Sequence, residues 1–256
     1  MKIGVFTDIL SEDFETAVRS AFEMGFDAVE LRNIKDRRVP CLTPEEVREA
    51  GEILRKYSMR PFALSPGTYR CSLYDREFAD QYALFEQTLD LAVEWGAGAV
   101  VTSGVRRHWK DRRGDYRRLI DTLSRCVSAA TARGVEVWVE NEFGWFNDAP
   151  DNILRLQKVM LDLGMKTCWN IAGYYAAGAE EWESFAEALG GNLSCVHISD
   201  VLTGSAQRGH LPVGDIISSL SSRENSPAVI LDGPGLSDRR RAAEALSWLR
   251  EVRAGG

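Results

Sequence analysis

The five cysteines (Cys41, Cys71, Cys126, Cys168 and Cys195) are scattered and form no C-x-x-C pair. This spacing excludes a zinc finger and gives no disulfide framework, so a reducing, cytoplasmic setting is expected. No apolar run approaches the roughly 18 residues that would suggest a membrane span. The opening "KIGVFTDI" after Met1 lacks the positive flank, apolar core and cleavage site of a signal peptide and reads as a strand. Basic residues are in the minority: 31 Lys and Arg stand against 38 Asp and Glu, a net charge of -7. This balance argues against a general affinity for nucleic acid, because phosphate binding needs a basic surface. A local basic patch stays open. The first strand-to-helix turn carries no G-x-G-x-x-G, so a dinucleotide site of the doubly wound kind is unsupported.

What the chain does have is a repeat of short apolar runs, each followed by polar or Gly-rich residues and then by a helical pattern. The runs begin at Lys2, Phe26, Met59, Ala97, Val135, Met165, Leu193 and Pro227. Between them lie apolar spacings of three and four, as in "DFETAVRSAFEMG" from Asp13, "TPEEVREAGEILRKY" from Thr43 and the stretch from Phe78 to Gly96. Thr43, Pro44 and Glu46 make a helix start signal, and Gly25 and Gly96 stand where a left-handed cap is needed. Eight units of about 30 residues with no linker predict one (β/α)₈ barrel over 1–256.

Chemistry in such a barrel sits at the C-terminal ends of the strands. Those ends hold Asp8, Glu30 with Arg32, Ser65, Ser103, Glu140, Asn170, His197 with Asp200, and Asp232. The fifth run, "VEVWVENE", also fixes two faces, because side chains alternate along a strand. Glu136, Trp138, Glu140 and Glu142 share one face and Val135, Val137, Val139 and Asn141 the other, which is expected to pack under the helices. Glu140, Asn170, His197 and Asp232 end four consecutive strands. Two carboxylates, an amide oxygen and an imidazole suit a divalent cation, Mn²⁺ or Mg²⁺ ahead of Co²⁺ or Zn²⁺. Singly, each could equally cap its own strand.

The pieces "FDAVEL", "VWVEN", "VHISD" and "RGHLPVGD" followed by "VILDG" resemble the sugar phosphate isomerase/epimerase superfamily, the xylose-isomerase-like barrels, over essentially the whole chain. The resemblance implies metal ligands at Glu140 and His197 and a substrate-contacting arginine at Arg208. Where that family has an Asp on the sixth strand, a His three residues later and a Glu on the eighth strand, this chain has Asn170, Gly173 and Asp232. One negative charge is lost from the expected metal site, and one ligand is shorter by a methylene.

The chemistry implied is metal-dependent isomerisation or epimerisation of a sugar or related polyol. A carboxylate removes a proton next to a carbonyl, and the cation holds the enediolate. Glu140 and Asp232 are the expected acid–base pair. Glu142 is placed further out, as a mouth residue or a solvated carboxylate. Glu30 either binds a hydroxyl or pairs with Arg32, His210 assists Arg208 or is an exposed loop histidine, and Trp145 with Phe143 and Phe146 either walls the substrate or packs. The basic run Arg106 to Arg118 either grips an anion or is a solvated loop and helix start. A lyase or dehydratase on a keto-polyol would share the proton abstraction. A barrel that has lost its metal, with no cofactor, would bind a ligand or a partner subunit. Three histidines and an acidic chain speak against the apurinic endonuclease branch, which needs several metals. The expected partner is a small sugar or polyol, with neither nucleic acid nor membrane, and a homo-oligomer is compatible with all of this.

Overall fold

The computed structural model describes residues 1–199, 211–233 and 235–255. All eight apolar runs become strands of one closed, parallel barrel. They are β1 (Ile3–Phe6), β2 (Ala28–Leu31), β5 (Pro61–Leu64), β6 (Ala99–Ser103), β7 (Glu136–Glu140), β8 (Lys166–Asn170), β9 (Leu193–Ile198) and β10 (Ala228–Leu231). The fold is a single (β/α)₈ barrel. Two further strands, β3 (Asn33–Ile34) and β4 (Arg37–Arg38), form a small antiparallel hairpin after β2 that the apolar pattern does not announce.

The helices start and stop where local chemistry tells them to. The Asp13 side chain accepts from the Thr16 backbone N–H at 2.8 Å to cap Phe14–Met24, and Gly25 closes that helix at φ 84°. Thr43 and Glu46 complete a reciprocal capping box at the head of Pro44–Lys56. The predicted helix from Phe78 divides into a 3₁₀ turn, Arg76–Asp80, and a helix, Gln81–Trp95.

Alternation along the strands sorts side chains into two cores. Val135, Val137 and Val139 join the large outer core beneath the helices, as expected, while Trp138 points into the barrel beside Phe6, Ala63, Ala99, Val101, Cys168, Cys195 and Ile230. Small residues dominate the interior rows, and the few large ones fill it. The next inward position along three of these rows is polar: Glu140 above Trp138, Asn170 above Cys168 and His197 above Cys195. Register carries them to one end, because Asn170 pairs with His197 and His197 with Ile230.

The interior leaves little slack at β1. A Cβ added to Gly4 would lie 2.6 Å from Ile230 Cδ1 and 3.0 Å from the Ala28 carbonyl oxygen. Gly4→Ala is therefore expected to cost about 1–3 kcal/mol in urea unfolding through overpacking. Ile230→Val, which removes that Cδ1, should cost less in the Gly4→Ala background than in the parent; additive losses would mean that the two side chains do not meet.

Candidate functional site

The C-terminal ends of the strands surround a cavity of about 170 Å³. Glu140, Glu142, Asn170, His197 and Asp232 all line it, together with Phe6, Ser65, Ser103 and three arginines, Arg32, Arg38 and Arg70. A larger depression of about 650 Å³ lies in the outer layer around Arg48, Arg55, Arg60 and Trp95, away from these strand ends.

His197 is 1 % exposed and lies between two carboxylates. Its Nδ1 is 2.9 Å from Glu140 Oε1 and its Nε2 3.2 Å from Glu30 Oε2. Glu30, fully buried, also accepts from the Ser65 hydroxyl. Glu140 accepts from Asn170 Nδ2 at 3.0 Å. Burial alone would push the imidazole pKa down, but the Cys168 sulfur and the Glu30 and Glu140 carboxylates around it hold it well above 6.5. Burial likewise opposes ionisation of Glu140, yet the His197 charge, its hydrogen bond, Arg70 and Asn170 keep that carboxyl below its ordinary 4.5. Both shifts favour a Glu140 carboxylate beside a charged His197 ring, the state in which each ring nitrogen carries a hydrogen toward its carboxylate.

A second ion group stands beside the first. Arg32 spans two acids, with Nε 3.0 Å from Asp8 Oδ2 and Nη1 3.1 Å from Asp232 Oδ2. Its Nη2 reaches the remaining oxygens at 3.2 and 3.3 Å, and Asn33 Nδ2 donates to Asp8 at 2.6 Å. The guanidinium also lies over the Phe6 ring, 4.4 Å from its centroid. The suggested Glu30–Arg32 pair does not form: Glu30 turns inward to His197 and Ser65, and Arg32 turns to Asp8 and Asp232.

At the mouth, Arg70 donates to Glu142 at 2.5 Å and lies 5.4 Å over the Trp145 ring. Burial pushes the Glu142 carboxyl up, against the pull of Arg70. Trp145, suggested as a substrate contact, is 5 % exposed and is not among the cavity's lining residues; it backs Arg70 instead. Phe143 is 64 % exposed. Within the basic run, Arg106 pairs with Asp75, Arg107 with Asp148 and Arg118 with Asp115. Arg208 and His210 lie outside the described residues, as does Asp200.

The site had other members that strand-end reading passed over. Arg38 ends the β3–β4 hairpin and Arg70 sits on a loop, and no periodicity marks either of them. Cys168 and Cys195 are cross-strand partners one row below Asn170 and His197, with both sulfurs within 4.8 Å of a His197 ring nitrogen. Their i, i+2 spacing from Asn170 and His197 was the available signal. Burial pushes the Cys168 thiol up. Glu140 is itself held from behind by Asn147, whose Nδ2 donates to the Glu140 carbonyl at 2.9 Å.

A divalent cation needs several oxygens or a neutral imidazole with free lone pairs. Asn170 Oδ1 accepts from the Gly173 N–H at 2.9 Å and caps the helix Ile171–Ala176, while its amide nitrogen faces Glu140. Both nitrogens of His197 are taken, and Asp232 is neutralised by Arg32. In this arrangement the expected quartet shares one cavity, but its donors are spent on one another and do not fit the ion.

A closed parallel barrel with ionisable side chains gathered at the C-terminal strand ends is the architecture of a (β/α)₈ enzyme scaffold. The chain belongs to the xylose isomerase-like TIM barrel family, whose sequence profile matches residues 18–252. No curated protein matches it in sequence. Among solved structures it is similar to D-psicose 3-epimerase with D-tagatose from Clostridium cellulolyticum H10, at 15% identity over 99% of both chains with a TM-score of 0.79. The probable 3-DHS dehydratase AsbF of Bacillus anthracis, involved in petrobactin synthesis, matches at 16% identity over 96% of this chain and 99% of its own, TM-score 0.76. A xylose isomerase-like barrel from Mycobacterium smegmatis in complex with magnesium matches at 14% identity over 99% and 97%, TM-score 0.76. At such identities the likeness is one of fold. No helix among the described residues is long and apolar enough to cross a membrane.

Two outcomes follow from these contacts. The raised pKa means that the His197 contribution to stability is complete below about 6.5 and is lost only as pH rises through its folded value. Nitrogen-15 spectra at pH 7.5 should show both ring nitrogens protonated; a neutral tautomer would contradict the clamp. Asn170→Asp replaces the donor facing Glu140 by a second carboxylate. In chelator the variant should lose about 1–3 kcal/mol of stability, and calorimetry should show it binding Mn²⁺ more tightly than the parent. Unchanged stability together with unchanged Mn²⁺ affinity would remove Asn170 from the site.

Proposed function

We propose that the protein is an isomerase or epimerase of a sugar or related polyol, working by proton transfer next to a carbonyl. The observation that carries this reading is the chain Asn170–Glu140–His197–Glu30 at the floor of the cavity. It keeps one carboxylate ionised, oriented from two sides and open to the pocket, which is what a general base requires. Glu140 takes the proton. Once protonated, Glu140 is the group that can hand the proton back to the neighbouring carbon, while Asp232, three strands away around a barrel of eight on a facing wall, is ion-paired to Arg32 and fixes that guanidinium at the cavity. Arg32, ion-paired with both Asp8 and Asp232, lines the cavity and keeps one Nη1 N–H to donate to an enediolate oxygen that the family resemblance assigns to a metal. The donor set as arranged does not fit Mn²⁺, Mg²⁺, Co²⁺ or Zn²⁺. The other barrel residues shape the pocket: Phe6 packs against Arg32 and against His197, at 5.2 Å between ring centroids.

The test is incubation of the chelator-treated protein with a panel of ketoses in D₂O. Deuterium should enter the carbon next to the carbonyl, and Glu140→Gln should slow that entry by about 100-fold or more. Loss of water from the substrate in place of exchange would make the protein a lyase. An absolute need for added Mn²⁺ would return the cation to the mechanism, and inertness to every ketose would leave a binding barrel.

A further inference from the structure

The cations at the cavity are not equally supplied with partners. Arg32 holds Asp8 and Asp232, Arg70 holds Glu142, and His197 holds Glu30 and Glu140. Among the described residues no carboxylate lies within 4 Å of Arg38. Its position is nonetheless built. Arg38 ends the β3–β4 hairpin, whose tip places two non-glycine residues, Lys35 at φ 50° and Asp36 at φ 61°, in the left-handed region. Its guanidinium rests on Gly67, itself at φ 71°, where any Cβ would come within 2.5 Å of Arg38 Nη1 and 3.3 Å of Arg70 Cδ. The glycine therefore leaves room for two arginine side chains to converge on one spot at the mouth. Arg38 is exposed at the mouth; partial desolvation, followed by the like charges of Arg70 and Arg32, pushes its pKa down. Such a cluster favours an anion between its members.

We propose that Arg38, with Arg70 beside it, seats a carboxylate on the substrate, so that the pocket takes a polyol acid in preference to a neutral sugar. The inference rests on the proton-transfer reading of the same cavity and names its substrate class. A singly charged, planar carboxylate matches the guanidinium fork. A phosphate dianion would meet Glu140, Glu142 and Asp232 across the same 170 Å³ and suffer more repulsion. With the acid group at the mouth, the hydroxylated carbons extend inward toward Glu140.

Calorimetry with ribitol, ribonate and ribose 5-phosphate reads this directly. Ribonate is expected to bind the parent about tenfold more tightly than ribitol, the scale of one charge-assisted hydrogen-bonded contact. In Arg38→Gln the two should bind within about twofold of each other, while Arg38→Lys should keep part of the preference; circular dichroism confirms that each variant is folded. The preference of the parent should also shrink as salt is raised. Equal binding of ribitol and ribonate by the parent, an undiminished preference in Arg38→Gln, tighter binding of ribose 5-phosphate, or no binding of any of the three would overturn the proposal. Deuterium exchange on neutral and acidic keto-polyols separates the two claims. Equal exchange on both sinks the acid preference alone, and a carboxylate preference in binding without exchange sinks the proton-transfer reading alone.

Discussion

A charged imidazole sealed beneath the mouth of a barrel requires opposite charge within hydrogen-bond reach, since an unpaired buried ion is among the costliest features a protein can carry. His197 has that charge on both sides, and everything near it is arranged around the fact. Fully buried Glu30 is held by the ring and by Ser65, and Glu140 is kept below its ordinary pKa, against its burial, by His197, Arg70 and Asn170. Three strands, β2, β7 and β9, are tied at their ends by this one side chain, with β8 joined through Asn170. The same contacts that hold the barrel's upper layer together hold its candidate base.

The second ion group shows how a positive charge can be provided by the chain. Asp232 is a methylene shorter than the glutamate that the resemblance places there, and Arg32 reaches into the space and meets it. Asn170 makes the complementary change, giving an N–H₂ to Glu140 where an aspartate would repel it. These substitutions are consistent with each other: fewer carboxylate charges, an arginine in contact with the one that remains at β10, and an imidazole turned into a cation by its neighbours. A site assembled this way can stabilise developing negative charge through fixed donors, whose strength in a dry pocket does not depend on reorganisation.

Much of this was legible in the sequence. The eight strands, their helices and the caps at Asp13, Thr43, Gly25 and Gly96 follow from periodicity, hydroxyl and carboxylate caps, and glycine's access to positive φ, all of which act over a few residues. The inward and outward faces of "VEVWVENE" follow from the period of two along a strand, and of the residues at strand ends Arg32, Ser65, Ser103, Glu140, Asn170, His197 and Asp232 line one cavity. What escaped was the identity of each side chain's partner. Glu30 adjoins Arg32 in sequence yet bonds His197, 167 positions away, and Trp145 lies close to Glu140 in the chain yet packs behind Arg70. Arg38 and Arg70 reach the mouth through a hairpin and a loop that leave no periodic trace.

The chain by itself determined the barrel, because each βα unit is specified by local patterns and eight of them in a row have few ways to bury their apolar faces. It also determined which residue types would stand at the strand ends. Only the tertiary structure decided how those charges are paired. Closure of the ring brings β2, β9 and β10 together across up to 200 positions of sequence, and the shortest contacts, not the nearest residues in the chain, decide which groups remain charged, which are neutralised and which are left to meet a ligand.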